Sequence, residues 1–361
     1  VRSGLVVLAV LGLAIAALVD GVNGREVASQ AAGPGGGAST TDQQAREEDP
    51  NQLHGPGVPT PGALPGTLVA AGDEDGCRLR VVPLASVSLG EAGAPTACRV
   101  WVAPDGKAAA VATGSLDDPL SRELALVQLA GSAEPIELGI AWGEPDWSPD
   151  GTRLAWCDPQ VGTVVYEPAN DLREEVGGCV PRFAADGALF TVGPGGLMRD
   201  GALAVDVGDL QQGFEERPGS GEAGILDYDV GPGGLVAVTA VRTRPDGREI
   251  ALLLWRQGRL EASVPMPEDS AGAWAGGVLR FSPDGTKLAL GARPGGGLDV
   301  VDLRLGGLVM NGVQQRGFAW SPDGSWLAVA GESEVEIYDA ISAERVYSLP
   351  VDAADVDWAG S

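Results

Sequence analysis

The chain has 361 residues, 44% of them apolar, enough for one large or two ordinary domains with a packed core. Its 24 basic residues face 50 acidic ones, and a net charge of −26 repels nucleic-acid phosphates and anionic lipid headgroups, arguing against both as surface partners. The single histidine, His54, lies in a Pro/Gly-rich stretch, which excludes a Ser-His-Asp triad, a histidine metal centre and an imidazole general base from the folded part.

In chain order, Leu5 to Val19 is an unbroken apolar run, preceded by Arg2 and Gly4 and closed by Asp20. Its length lies between a signal-peptide core and a spanning helix. Arg2 on one side and Asp20 on the other place the amino terminus in the cytoplasm. Residues 1–20 therefore read as an N-terminal signal-anchor helix, or as a signal peptide if the small-residue site Ala14-Ile15-Ala16 is cleaved. Both outcomes export the rest, as a single-pass membrane protein with its folded part extracytoplasmic or as a secreted one. Residues 21–65 carry Pro34, Pro50, Pro56, Pro59, Pro61, Pro65 and Gly35-Gly36-Gly37, with almost no bulky apolar side chains. Such a segment cannot offset its own ordering entropy and reads as a disordered linker, holding the folded part roughly 35–40 Å from a bilayer.

From Gly66 onward the chain reads as short strands. Apolar runs such as Leu79–Leu84, Ala108–Ala112, Leu124–Leu129, Val161–Tyr166, Leu235–Val241, Ile250–Trp255 and Val335–Tyr338 are separated by Gly, Pro, Asp and Ser, and no segment has helical periodicity. One motif recurs: Trp147-Ser148-Pro149-Asp150-Gly151, Phe281-Ser282-Pro283-Asp284-Gly285 and Trp320-Ser321-Pro322-Asp323-Gly324, each followed by an apolar strand. Looser copies start at Val102, Phe183 and Val230. Proline presets the first central position of a tight turn, Asp tolerates the second, and Gly takes the left-handed residue. Asp105, Asp150, Asp186, Asp284 and Asp323 are thus expected to cap turn amides, and Trp147, Phe183, Phe281, Trp320 and Trp358 to anchor the core.

The anchors Val102, Trp147, Phe183, Val230, Phe281 and Trp320 are spaced by 45, 36, 47, 51 and 39 residues, and Trp358 starts a further copy 38 residues on. A period near 40–45 means a β-propeller with one four-stranded blade per repeat. The expected architecture over 66–361 is all-β and seven-bladed, closed by pairing of the N- and C-terminal strands. A six-bladed ring leaves one unit without a place and ranks second. The aromatic-S-P-D-G-x-x-L-A pattern, with later runs such as Val300-Val301-Asp302-Leu303 and Ile337-Tyr338-Asp339, resembles the TolB-type and related WD-repeat-like bacterial propellers over about four-fifths of the chain. The resemblance speaks for fold and not for function, because such propellers host scaffolds, peptidase gates and enzymes. TolB carries an α/β domain ahead of its propeller where this sequence reads as an anchor and a linker, so its lipoprotein partner does not carry over.

Cys98 and Cys179 each lie four residues before an anchor, and Cys77 and Cys157 each fall near the first hairpin of the same repeats. This predicts the disulfides Cys77–Cys98 and Cys157–Cys179, in keeping with export. A cysteine metal site is disfavoured by the spacings, and Asp73-Glu74-Asp75 reads as a solvated hairpin tip with calcium as the rival. No metal or cofactor is expected.

Just before the anchors stand Trp101, Asp146, Arg182, Asp229, Arg280, Ala319 and Asp357. Asp146, Arg182, Asp229 and Arg280 are expected to form an alternating charge belt along neighbouring inner strands, either fixing blade register or lining a ligand channel. Trp142, Glu144, Tyr228, Trp274 and Arg316 are candidates for ligand binding at the rim. The expected function is a non-enzymatic, monomeric, membrane-tethered module that binds an envelope protein, peptide or glycan. The alternative is an exported propeller hydrolase or lyase using carboxylates and a bound metal.

Overall fold

The structure, a computed structural model, describes residues 64–360 except 73–77, 85–89, 92–96, 114–121, 131–133, 215–222, 245–246, 267–277 and 292–295. The expected signal anchor, nearly all of the linker with His54, the Asp73-Glu74-Asp75 loop, Cys77 and Trp274 lie outside the described residues. Among the described residues no helix is long and apolar enough to cross a membrane.

The described chain is all-β, in antiparallel sheets. Strands β1 (Thr67–Ala71), β2 (Leu79–Pro83) and β3 (Gly90–Glu91) form one sheet with a strand from the other end of the sequence. Next come β4 (Arg99–Val102), β5 (Ala108–Thr113) and β6 (Arg122–Gln128). They pair into the 12-residue β7 (Ile136–Trp147), which continues through β8 (Leu154–Asp158), β9 (Gly162–Glu167) and β10 (Leu172–Val176) as one seven-stranded sheet. Four-stranded sheets follow. The first holds β11 (Cys179–Phe183), β12 (Leu189–Gly193), β13 (Gly196–Arg199) and β14 (Ala202–Asp206). The second holds β15 (Ala223–Gly231), β16 (Leu235–Arg244), β17 (Gly247–Arg256) and β18 (Arg259–Met266). The third holds β19 (Val278–Phe281), β20 (Lys287–Gly291), β21 (Gly297–Asp302) and β22 (Gly307–Gln314). The fourth holds β23 (Gly317–Trp320), β24 (Trp326–Ala330), β25 (Val335–Asp339) and β26 (Arg345–Leu349). Finally β27 (Asp355–Ala359) lies antiparallel to β1, with Leu68 opposite Trp358 and Val69 opposite Asp357.

The repeated turn behaves as its residues dictate. Ser148 Oγ donates to the Asp150 carboxylate at 2.6 Å and accepts from the Arg153 N–H at 2.9 Å, while Asp150 also accepts from the Thr152 N–H at 3.0 Å. The Gly151 N–H closes the turn on the Ser148 carbonyl at 2.8 Å, and Gly151 has φ of 69°, the conformation that favours glycine. Hydrogen bonds from Ser148 and Thr152 hold the Asp150 carboxyl down to about 2. The same bonds recur at Ser282 and Asp284 and at Ser321 and Asp323, and all three serines are buried.

Apolar side chains of neighbouring sheets fill the space between them. Within the seven-stranded sheet, Trp147, Leu154 and Trp156 of its second half pack on Ala103, Ala110, Leu124 and Leu126 of its first half. Burial of a side chain the size of Trp156 or Trp255 contributes on the order of 2–3 kcal/mol before entropy. First strands pack side by side, β4 on β7, β7 on β11, β11 on β15, β15 on β19, β23 on β27 and β27 on β4. The Cys157–Cys179 disulfide, with Cα atoms 4.9 Å apart, ties β8 to β11. Cys98 is buried, and its expected partner lies outside the described residues. One element contradicts the all-strand reading: α1 (Val207–Gln212), a short helix whose N-cap Asp206 and third residue Asp209 bond each other's backbone N–H. Six residues are too few for helical periodicity to register.

Candidate functional site

Three first strands are bulged where charged residues leave them. The pairing of β7 with β8 jumps from Trp142–Cys157 to Asp146–Ala155, and Gly143 in the gap has φ of 72°. In β11 the register shifts between Cys179 and Arg182, with Val180 at φ of 55°. That is a strained position for a β-branched residue. In β15 it shifts between Ile225 and Asp227. A bulge re-aims the side chains beside it, and these bring Glu144, Arg182 and Asp227 to one place.

There Arg182 lies 3.3 Å from the Glu144 carboxylate and 3.7 Å from Asp227. Arg280, from β19, pairs with the same Glu144 oxygen, 136 residues away in sequence. Arg182 is buried, whereas the Glu144 and Arg280 side chains keep 23% and 26% of their exposure and so meet solvent. Both arginines are held by their own strands: Arg182 donates to the Pro181 carbonyl at 3.0 Å and Arg280 to the Leu279 carbonyl at 2.6 Å. Burial alone would raise the Glu144 carboxyl, but the Arg280 and Arg182 guanidiniums outweigh it and hold it down to about 2. Burial pushes Asp227 up to about 6 against the pull of Arg182 and Arg280.

Aspartates of first strands also fasten one sheet to the next at three junctions. Asp146 accepts from the Phe183 N–H, Asp229 from Phe281 and Asp357 from Val102, each at 2.6 Å. Asp227 and Asp355, two residues earlier on their strands, accept from Leu279 at 2.8 Å and Val100 at 3.2 Å. Burial raises Asp146 to about 6 despite Arg182 and the Phe183 bond, and Asp357 to about 7 despite its two backbone bonds. At Trp147 and Trp320 the direction reverses: the Trp147 indole donates to the Trp101 carbonyl at 2.9 Å and that of Trp320 to Arg280 at 3.2 Å, whereas the Trp358 indole donates to the Pro65 carbonyl at 2.7 Å.

Of the residues expected at the rim, Glu144 is central to the cluster and Trp142, two residues before it, is 46% exposed. Tyr228 is not a rim residue. It is fully buried, and its hydroxyl donates to the Val180 carbonyl at 2.6 Å, fastening β15 to β11. Arg316 pairs with Asp352 at 3.1 Å, and its carbonyl accepts from Arg99 at 3.5 Å. The sequence reading missed Asp227, Asp355 and Arg99, the last paired with Asp355 at 3.4 Å. A signal for the acids exists in Glu144-Pro145-Asp146, Asp227-Tyr228-Asp229 and Asp355-Val356-Asp357. Residues two apart on a strand share a face, so each first strand presents two acids together. A groove of about 660 Å³ along β6 and β7, lined by Glu123, Glu134, Glu137 and Ile140, involves none of these residues. Among the described residues no three His, Cys, Asp or Glu are grouped to hold a metal ion.

No family model matches the chain, and no curated protein matches it in sequence. A solved structure of a provisionally assigned 6-phosphogluconolactonase from Bacteroides uniformis is similar to it, with 15% identity, 81% of this chain and 98% of that chain covered, and a TM-score of 0.50. A provisionally assigned 6-phosphogluconolactonase from Bacteroides fragilis has 15% identity, 82% and 99% coverage and a TM-score of 0.47. The β-propeller domain of Cps50 from Myceliophteria thermophila has 12% identity, 74% and 91% coverage and a TM-score of 0.46. The fold is a β-propeller. At such identities the similarity carries the fold and no activity. It nevertheless corrects one expectation: that the protein is not an enzyme does not stand, because the Bacteroides uniformis neighbour is assigned, provisionally, as an enzyme.

Proposed function

We propose that residues 66–361 form a seven-bladed propeller of the TolB-like kind, with β27 and β1–β3 making one composite blade. Residues 1–20 anchor it and residues 21–65 tether it on the outer side of a membrane. Its working surface is the channel mouth, where Asp146, Arg182, Asp229 and Arg280 follow one another in blade order and Glu144 reaches across to both arginines. An envelope protein, peptide or glycan binds there. The observation that carries this reading is the convergence of four charged groups from four first strands, three of them re-aimed by bulges, with Glu144 and Arg280 partly exposed. Exposed Trp142 offers an aromatic platform beside them.

The test is binding of the full chain to defined glycan and peptide arrays. Ligands that bind should be lost by Arg280→Ala and weakened at least about tenfold by Trp142→Ala. Leu305→Ala and Ile341→Ala, at exposed apolar residues elsewhere, should change nothing. Binding indifferent to Arg280 and Trp142 would reject the channel mouth as the working surface.

A second reading, a propeller hydrolase, is favoured by the carboxyls of Asp146 and Asp227, raised to about 6 beside guanidinium groups. Groups tuned near neutrality suit proton transfer. Ester or lactone hydrolysis that falls at least about 100-fold in Asp227→Asn would support it.

A further inference from the structure

We propose that Glu144 is a built-in plug: its carboxylate occupies, between Arg182 and Arg280, the position of a carboxylate on the protein's ligand, which binds by displacing it. This deepens the channel-mouth reading and rests on it.

The two arginines have partners besides the Glu144 side chain: Arg182 also donates to the Glu144 main-chain carbonyl at 3.4 Å and lies 3.7 Å from Asp227. Arg182 is seated by the Pro181 carbonyl and Arg280 by the Leu279 carbonyl. Withdrawal of the Glu144 side chain therefore leaves two fixed guanidiniums facing one vacated point, a geometry matched to a planar carboxylate. Arg182 also retains a buried Nε–H with no hydrogen-bond partner. An unsatisfied buried donor costs about 1–3 kcal/mol, and a ligand oxygen could satisfy it where the Glu144 carboxylate does not.

The plug itself is placed where it can move. Glu144 stands in the unpaired stretch of β7 between Trp142 and Asp146, next to Gly143 in the left-handed region. Only the Glu144 side chain has to swing, because its main-chain carbonyl accepts from Arg182 at 3.4 Å and can stay in place. The point it occupies favours negative charge in spite of the surrounding aspartates: the arginines Arg280, Arg182, Arg99 and Arg122 all act on it to keep the acid ionised against the effect of burial. A ligand carboxylate brought to the same point meets the same field.

The ligand class is thus a molecule with a free carboxylate, either a sugar acid or a peptide C-terminus. The experiment uses the full chain and small probes. In Glu144→Ala, acetate should raise the thermal midpoint by about 3 °C at roughly ten times its dissociation constant. It should not do so in the wild type or in Glu144→Ala/Arg280→Ala, and acetamide, of the same shape but uncharged, should have no effect. D-glucuronate and an acetylated dipeptide with a free C-terminus then separate the two sources. The physiological one should bind Glu144→Ala at least about tenfold more tightly than wild type, and its methyl ester should not. Glu144→Gln, which keeps the side-chain volume, repeats the comparison if the alanine variant does not fold. No acetate stabilisation in either variant, or stabilisation that survives loss of Arg280, overturns the plug. Because acetate is read by stability and needs no partner, a negative array screen and a negative acetate titration are distinguishable failures.

Discussion

Two kinds of fastening recur between neighbouring first strands, and the difference follows from one residue. Where the next anchor is Phe183, Phe281 or Val102, whose side chains cannot donate, the preceding strand supplies Asp146, Asp229 or Asp357 to accept the anchor's backbone N–H. Where the next anchor is Trp147 or Trp320, the indole donates backwards to a main-chain carbonyl, and the preceding position is free to be Trp101 or Arg280. The carboxylate junctions at Asp146 and Asp357 bury groups whose carboxyls burial has raised, and they are sensitive to protons. Indole junctions bury a neutral donor and are not. Arg182 precedes Val230 and belongs to neither class; there the Tyr228 hydroxyl makes the fastening.

The largest expected effect separating the two is the response to pH. Asp146, Asp227 and Asp357 have folded-state values of about 6, 6 and 7, raised by burial above the ordinary 3.8. These three groups therefore hold more protons in the folded chain than in the unfolded one between about pH 4 and 7, and the stability they contribute falls as pH rises through that window. Glu144 works the opposite way. Held at about 2 by its arginines, it stabilises the fold above its ordinary 4.5 and loses that contribution as pH falls toward 2. Thermal midpoints measured from pH 3 to 8 should peak near pH 4–5. Asp357→Asn should flatten the fall above the peak, whereas Trp320→Phe should leave its slope unchanged.

Next in size is the Cys157–Cys179 bond, which crosses the Asp146 junction and closes a loop with a sequence separation of 22. Replacing both cysteines by serine should cost about 3 kcal/mol in denaturant unfolding. Removal of a carboxylate latch comes third. Asp146→Ala strands the Phe183 N–H and should cost about 2 kcal/mol, whereas Asp146→Asn keeps an acceptor without the charge and should cost less than about 1 kcal/mol at pH 7.5. If Asn costs as much as Ala, charge and not hydrogen bonding holds that junction. The smallest effect is at the indole junctions, where Trp320→Phe should cost about 1 kcal/mol through the orphaned Arg280 carbonyl and lost area.

Legibility divided along the same line. The Ser148–Asp150 and Ser321–Asp323 turns could be read because every bond in them joins residues within five positions, so local chemistry settles them. The pairing of Cys157 with Cys179 could be read from the repeat, because Cys98 and Cys179 hold the same place before an anchor and Cys77 and Cys157 the same place near a first hairpin. Tyr228 was misplaced for the converse reason: alternation along a strand does not say which face a bulge will turn inward. The helix at Val207–Gln212 was missed because it is barely more than one turn long.

From the residues alone came the all-β character, the repeat, the turn chemistry and one acidic or basic position before most anchors. These depend on hydrophobic alternation and on the backbone preferences of Pro, Asp and Gly, which act over a few residues. The tertiary structure alone decided that Arg182 and Arg280 would meet at Glu144, and that Asp146 and Asp229 would each accept the next sheet's N–H. Contacts between residues 136 apart are set by how whole sheets pack and where strands bulge, and no short-range pattern encodes that geometry.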